Sequence, residues 1–285
     1  MSILRYTRSW YTATRRLSKN RIWSGTNYMD LDYNIEAWLL IDPKDFIIQD
    51  AALNIFRGAV IEGIKELPCI QGAAAYPGIG KVVKTVTATD TTGLFADLLL
   101  ENVKAIVQAE TYLYRERGFD SRQAYQQAFR NNYQNTCIYF SHPQFVNSSA
   151  QYHHLKGQRV QELLFARHRQ VSIEDKGCGF TLTANLADTY HQMYLALKLS
   201  PAHKVVKARG EIQRSPNHLC QIAAQKIENL LNKELPLENR AWQDAVGGAD
   251  GCTHLADLAR EAATTISRFD ELRETSKKQS ASTSK

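Results

Sequence analysis

The sequence predicts an α+β fold built from two tandem copies of a small domain, each an antiparallel sheet covered on one face by helices. Three observations predict it. Asp30 to Ile48 (DLDYNIEAWLLIDPKDFII) aligns without a gap on Asp188 to Val206 (DTYHQMYLALKLSPAHKVV). Asp90 to Ile106 (DTTGLFADLLLENVKAI) aligns on Asp250 to Ile266 (DGCTHLADLAREAATTI), and a shift of two residues separates the two alignments. In both halves an alternating apolar stretch is followed by helical patterns.

The elements follow in order. In the first copy Tyr33, Ile35, Ala37, Leu39 and Ile41 share one face of an alternating run, the signature of a half-buried strand. The matching face of the second copy is His191, Met193, Leu195, Leu197 and Leu199, with Gln192 and Lys198 opposite. Turns at Pro43 and Pro201 lead to second strands around 46–55 and 204–212. Two helices come next in each copy. Ser215-Pro216 reads as an N-cap followed by Pro at the first helical position, with Leu219, Ala223, Ile227, Leu230 and Leu231 as the apolar face. The last helix is expected to start from Asp250 as N-cap and to bury Leu255, Leu258, Ala259, Ala262 and Ile266. Its counterpart shows Leu94, Phe95, Leu98, Leu99 and Ile106.

These patterns divide the chain into a first copy over 1–114, a connecting helix and loop over 115–157, a second copy over 158–274 and a disordered polar tail over 275–285. The connector is Gln/Asn-rich, and its Tyr125, Tyr133 and Tyr139 read as packing residues. Arg5, Arg8, Arg15, Arg16, Lys19 and Arg21 precede any acid, a pattern shared by transit peptides and by a basic first strand; the strand is the reading carried forward.

With 44% hydrophobic and 22% charged residues the composition is globular, and no apolar run reaches the ~18 residues of a membrane helix. The net charge of +6 is mild, and with no recognition motif or dense Lys/Arg stripe it does not point to nucleic acid. Five cysteines, an odd count, read as reduced thiols of a cytoplasmic protein rather than a disulfide framework.

Chemistry concentrates in the second copy. Cys220 and Cys252 each fall in the first turn of an expected helix, where the dipole and free N–H groups favour the thiolate. The glycines of the 247–251 run allow close backbone approach to Cys252. His191 lies on the apolar strand face, and His254 is a fourth candidate ligand, giving a Cys2His2 set suited to zinc or an iron–sulfur cluster. On a regular helix, residues 252 and 254 stand about 200° apart, which sets the two donors on different faces. The bland readings are a small buried hydrophobe for each cysteine and a hydrogen-bonded core imidazole for each histidine. The first copy offers Tyr33, Glu62, Thr92 and Leu94 at the four aligned positions, as a lost site would.

Asp188-Thr-Tyr-His191-Gln-Met193, Cys220 and Gly251-Cys252-Thr-His254-Leu255 resemble an uncharacterised bacterial domain family marked by a Gly-Cys-x-His-Leu motif. The pattern is also remotely similar to the U-type iron–sulfur cluster scaffolds. That resemblance implies a scaffold-like sheet with helices on one face. It also implies a site in which His191 stands for an acid, Cys220 for the second Cys, and Cys252 and His254 for the final pair. Thr189 stands where those scaffolds have their first Cys. The expected function is a metal- or iron–sulfur-binding accessory protein with a protein partner, the first copy being structural or partner-binding. The alternatives are a cysteine-dependent sulfur or acyl carrier, and a non-catalytic adaptor.

Overall fold

The computed structural model describes residues 4–58, 62–142 and 163–283. The loop expected over 143–157 therefore lies outside the described residues. The chain mixes helices with antiparallel strands in two compact units. Among the described residues the first unit comprises 9–132 and 163–168, the second 4–8, 133–142 and 169–283. Neither unit is one contiguous stretch, because the compactness boundaries fall inside two long strands, β1 (Leu4–Ser18) and β6 (Leu163–Asp175). The sequence pattern, which sees only local periodicity, instead places boundaries at 114 and 158.

In the first unit β1 and β6 are joined by β2 (Arg21–Met29), β3 (Asn34–Ile41), β4 (Ile48–Arg57) and β5 (Gly63–Glu66), hydrogen-bonded in the order β5-β4-β3-β2-β1-β6. In the second, the order is β1-β6-β7-β8-β9, with β7 (Phe180–Asp188), β8 (Gln192–Leu199) and β9 (Val205–Arg214). The strands expected near 33–41, 46–55, 191–199 and 204–212 are β3, β4, β8 and β9. Period-two burial explains them: Ile35, Ala37, Leu39 and Ile41 are buried, as are Met193, Leu195, Leu197 and Leu199.

Each unit repeats the same local devices. The β3–β4 ladder shifts register at Asn34/Ile35 and Leu40/Ile41, and the β8–β9 ladder at Gln192/Met193 and Lys198/Leu199. The turn before β3 is closed by Asp30, whose Oδ1 accepts the N–H groups of Asp32 and Tyr33, both at 2.8 Å. Before β8, Asp188 Oδ1 accepts those of Tyr190 and His191, at 2.7 and 2.6 Å. Arg57 donates to the Asp30 carbonyl at 2.7 Å and Arg214 to the Asp188 carbonyl at 2.5 Å.

Helices α1 (Gly80–Val86), α2 (Leu94–Ala109) and α3 (Arg122–Tyr133) follow in the first unit, α3 entering the second unit at its last residue. The second contains α4 (Ile138–Ser141), α5 (Leu219–Ala223) continuing as a 3-10 helix over Ala224–Leu230, α6 (Asn239–Ala245) and α7 (Thr253–Thr283). Helix α2 packs on β2 and β3 through Leu94, Leu98, Leu99 and Ile106, and α7 on β7 and β8 through Leu255, Leu258, Ala259, Ala262 and Ile266, all buried. Each helix also buries a glutamate against a strand arginine. Arg167 donates to Glu101 at 3.0 Å and Arg8 to Glu261 at 2.7 Å.

Three helix ends differ from expectation. Helix α5 begins at Leu219, not Pro216, because the Asn217 side chain accepts the Leu219 N–H at 3.0 Å while the Ser215 hydroxyl bonds the Asn217 carbonyl. Helix α7 begins at Thr253 instead of running on from Asp250. There the chain is spent on a tight turn, Gly251 N–H to Gly248 C=O and Cys252 N–H to Val246 C=O, each 3.0 Å. Helix α7 also runs to Thr283, through the stretch expected to be disordered; extending a nucleated helix costs far less than starting one. Among the described residues no helix is long and apolar enough to cross a membrane.

Candidate metal centre

The site grows from the Asp188 turn. Three hydrogen bonds from main-chain N–H groups hold it: Asp188 N–H to the His191 carbonyl at 2.8 Å, and Tyr190 and His191 N–H to the Asp188 side-chain carboxylate. Arg214 clamps the carbonyls of Asp188, Thr189 and His191 from the far end of β9. The side chain of Asp188 is fully buried and that of His191 is 8% exposed. Nδ1 of His191 stands 3.1 Å from Asp188 Oδ1 and 3.4 Å from Oδ2. With Nδ1–H donated to that carboxylate, Nε2 would be the nitrogen left to bind an ion.

The second half of the site comes from the start of α7. Gly251 there is obligatory: a Cβ would sit 2.1 Å from the Gly247 carbonyl oxygen and 2.2 Å from that of Val246. The close approach expected of the glycine run is thus built into the turn before Cys252. From the first turn of α7, His254 lays its ring 4.1 Å from that of His191, centroid to centroid, at 34°. Asp188, His191 and His254 bring one ligand-type atom each within 4.8 Å of one another.

The structure thus joins two of the four sequence-derived candidates, His191 and His254, and adds Asp188. Among the described residues Cys220 and Cys252 are outside that compact group. Cys252 precedes the first helical residue, so the helical angle between 252 and 254 does not apply. The thiol instead sits over the start of the helix, where the N–H groups of His254 and Leu255 reach it.

The expectation of activated thiolates is corrected. Burial pushes Cys252 up to about 12 and Cys220 up to about 11, and in both cases this outweighs the hydrogen bonds that favour the thiolate. Cys137, the N-cap of α4, is raised by the same cause, and the anionic forms of Cys137, Cys220 and Cys252 repel one another. Two hydrogen bonds explain the company of Cys137. Ile138 N–H donates to the Gly251 carbonyl at 2.9 Å, and Thr253 Oγ1 to the Thr136 carbonyl at 3.0 Å.

The first unit has an acid at a comparable turn, with a different partner. Asp30 holds the same turn, but its Oδ2 accepts the Tyr28 hydroxyl at 2.5 Å where Asp188 faces an imidazole. The aspartate is thus a turn residue in both units, and an imidazole faces it in the second. Residues 169–268 match a family described as a protein of unknown function, DUF2889. No curated protein and no solved structure matches the chain.

Proposed function

We propose that the second unit binds a transition-metal ion, zinc or iron, and that the chain serves as a cytosolic metal- or iron–sulfur-binding accessory protein. The first unit is then a duplicated copy of the same domain, kept for structure or for a protein partner after its ligands were lost. The observation that carries the reading is the apposition of His191 and His254 beside Asp188. Two imidazoles with a buried carboxylate on one of them form a donor set that suits zinc and ferrous iron. Nitrogen ligands of one zinc ion stand about 3.3 Å apart, so the present spacing closes on an ion by a small movement. Cys252, at the mouth of the same helix, and Cys220 are the thiols from which a soft ion or a cluster would draw further ligands. The recurrence of the aspartate turn, the ladder shifts and the arginine clamp supports the duplication, and Tyr33 at the His191 position supports the loss.

The carrier reading has less support, because a thiol pushed up to about 11 or 12 is a poor nucleophile at neutral pH. The test is elemental analysis of full-length protein purified without oxygen. One equivalent of zinc or iron is expected, lost in His191→Ala and in His254→Ala and retained in Cys69→Ser. Metal-free protein that also fails to take up added zinc or ferrous iron overturns the reading.

A further inference from the structure

Strands β4 and β9 answer to one another through their ladders, Leu53 lying opposite Ala37 as Gly210 lies opposite Leu195. Their free sides differ. The free side of β4 is taken by β5, which runs back antiparallel and pairs Glu66 with Ala52, Lys65 with Leu53, Ile64 with Asn54 and Gly63 with Ile55. The corresponding stretch of β9, Arg209–Ile212, ends the strand order, with no strand beyond it among the described residues. The chain leaves β9 into α5 and the 3-10 helix instead. Between them and residues 208–213 it leaves a groove of about 410 Å³, walled on the helical side by Ala224, Gln225, Ile227 and Glu228. At Gly210 the helical wall closes on the strand face, where a Cβ would meet the Ala224 carbonyl oxygen at 3.0 Å and Ile227 Cγ2 at 3.1 Å.

We propose that this groove receives an extended peptide from a protein partner as an added antiparallel strand, in the register that β5 adopts on β4. An uncovered edge presents unpaired N–H and C=O groups, and strand addition uses those for affinity and alternate side chains for selectivity. The selectivity follows from the register. On β5, Lys65 stands opposite Leu53 and Glu66 opposite Ala52. A peptide in the same register sets a residue opposite Gly210, beside the wall that carries Glu228, and the next one opposite Arg209, an exposed guanidinium that also pairs with Glu211. A basic residue followed by an acidic one complements both. The inference concerns a surface apart from the histidine pair and stands whether or not a metal is bound.

The probe is the six-residue peptide Glu-Gly-Ile-Lys-Glu-Leu, the sequence of residues 62–67, added to the full-length protein. The control peptide exchanges its Lys and Glu. The readout is amide hydrogen exchange of β9. Saturable slowing of exchange over Arg209–Ile212 is expected, with affinity at least tenfold weaker for the exchanged peptide. Glu228→Lys, at an exposed position, should weaken the native-order peptide by a similar factor. Unchanged exchange at millimolar peptide overturns the proposal, as does equal binding of the two peptides. So does slow exchange in the free protein that vanishes on dilution, which would assign the edge to a second copy of this chain.

Discussion

His191 holds its Nδ1 3.1 Å from Asp188 Oδ1 while its ring lies 4.1 Å from that of His254. The two contacts assign different roles. On the proposed reading the ion is held at Nε2, and Asp188, on the other ring nitrogen, orients the ligand without being one. Asp188→Asn keeps an oxygen for the Tyr190 and His191 N–H groups and so keeps the turn. It removes the charge that makes Nε2 a good donor. Metal affinity should fall by about 10- to 100-fold, with stoichiometry restored at high metal, since that is the usual effect of losing an outer partner of a ligand histidine. His191→Ala should lose the site at any metal concentration. Competition with a chromophoric chelator separates the two. Equal loss in both variants would make Asp188 a ligand.

The thiols carry a second prediction. Cys69 and Cys178 are exposed, whereas Cys220 and Cys252 are buried. Alkylation of native, metal-free protein at pH 8 should modify Cys69 and Cys178 within minutes and leave Cys220 and Cys252 until the chain unfolds. Mass spectrometry of digests reads this directly. The same burial sets a pH limit. A thiol with a folded-state pKa above its ordinary 9.0 binds its proton more tightly in the folded chain. That stability is intact below about pH 9 and is lost as pH rises through the folded-state values, about 11 for Cys220 and about 12 for Cys252. The melting temperature should fall over that window, and less steeply in Cys220→Ala. An equal slope in the variant would show that other groups set the limit.

Much of this was legible in the sequence, and the exceptions have physical causes. The alternation at 33–41 and 191–199 gives β3 and β8 because one face is apolar throughout. β1 answers to the basic first strand expected there, whereas β6 is harder to read, because Arg167 and Arg169 are buried where alternation calls for an apolar residue. The acids that answer them, Glu101 and Glu261, occupy matching positions of the aligned helices, but nothing in the sequence marks either as buried. His254 was legible as a donor. Its pairing with His191 was not, because that depends on where α7 starts, which the Gly-rich turn decides. Asp188 was visible as a repeated residue and as the start of the Asp188–Met193 motif but not as the partner of His191, since nothing local distinguishes a turn aspartate from one that also faces an imidazole.

The two arginine–glutamate pairs predict an asymmetry between single and double substitutions. Arg167 and Glu101 are 6% and 4% exposed, so removing one partner leaves the other charge with little water. Glu101→Leu or Arg167→Met should each cost about 3–5 kcal/mol in denaturant unfolding. The double substitution should recover most of that loss, because an apolar pair of similar volume has no charge left to desolvate. Arg8 and Glu261 are more exposed, at 9% and 16%, while each glutamate has a second cation at 4.0 Å, Arg169 beside Glu261 and Lys104 beside Glu101. Arg8→Met should therefore cost less than Arg167→Met. If the singles and the double are additive, the pairs do not interact in the way their distance implies.

The turn before Cys252 gives the last prediction. Gly251 is the residue of the Gly-Cys-x-His-Leu run with no room for a side chain, since a Cβ would lie 2.1 Å from one carbonyl oxygen and 2.2 Å from another. Its own carbonyl accepts the Ile138 N–H at 2.9 Å, and its N–H bonds Gly248 at 3.0 Å. Gly251→Ala must displace the turn, and with it the start of α7 that sets the His254 ring on His191. Such displacements cost about 1–3 kcal/mol in a packed interior. The larger consequence is positional: metal binding should weaken more than stability does, because the ligand geometry tolerates an error of only about 0.5 Å. Gly248→Ala is the comparison. Its φ of 73° is strained for alanine, yet the nearest atom to a Cβ there is 3.7 Å away. It should lower stability with a smaller effect on binding. Equal effects of the two substitutions on metal affinity would disconnect the turn from the site.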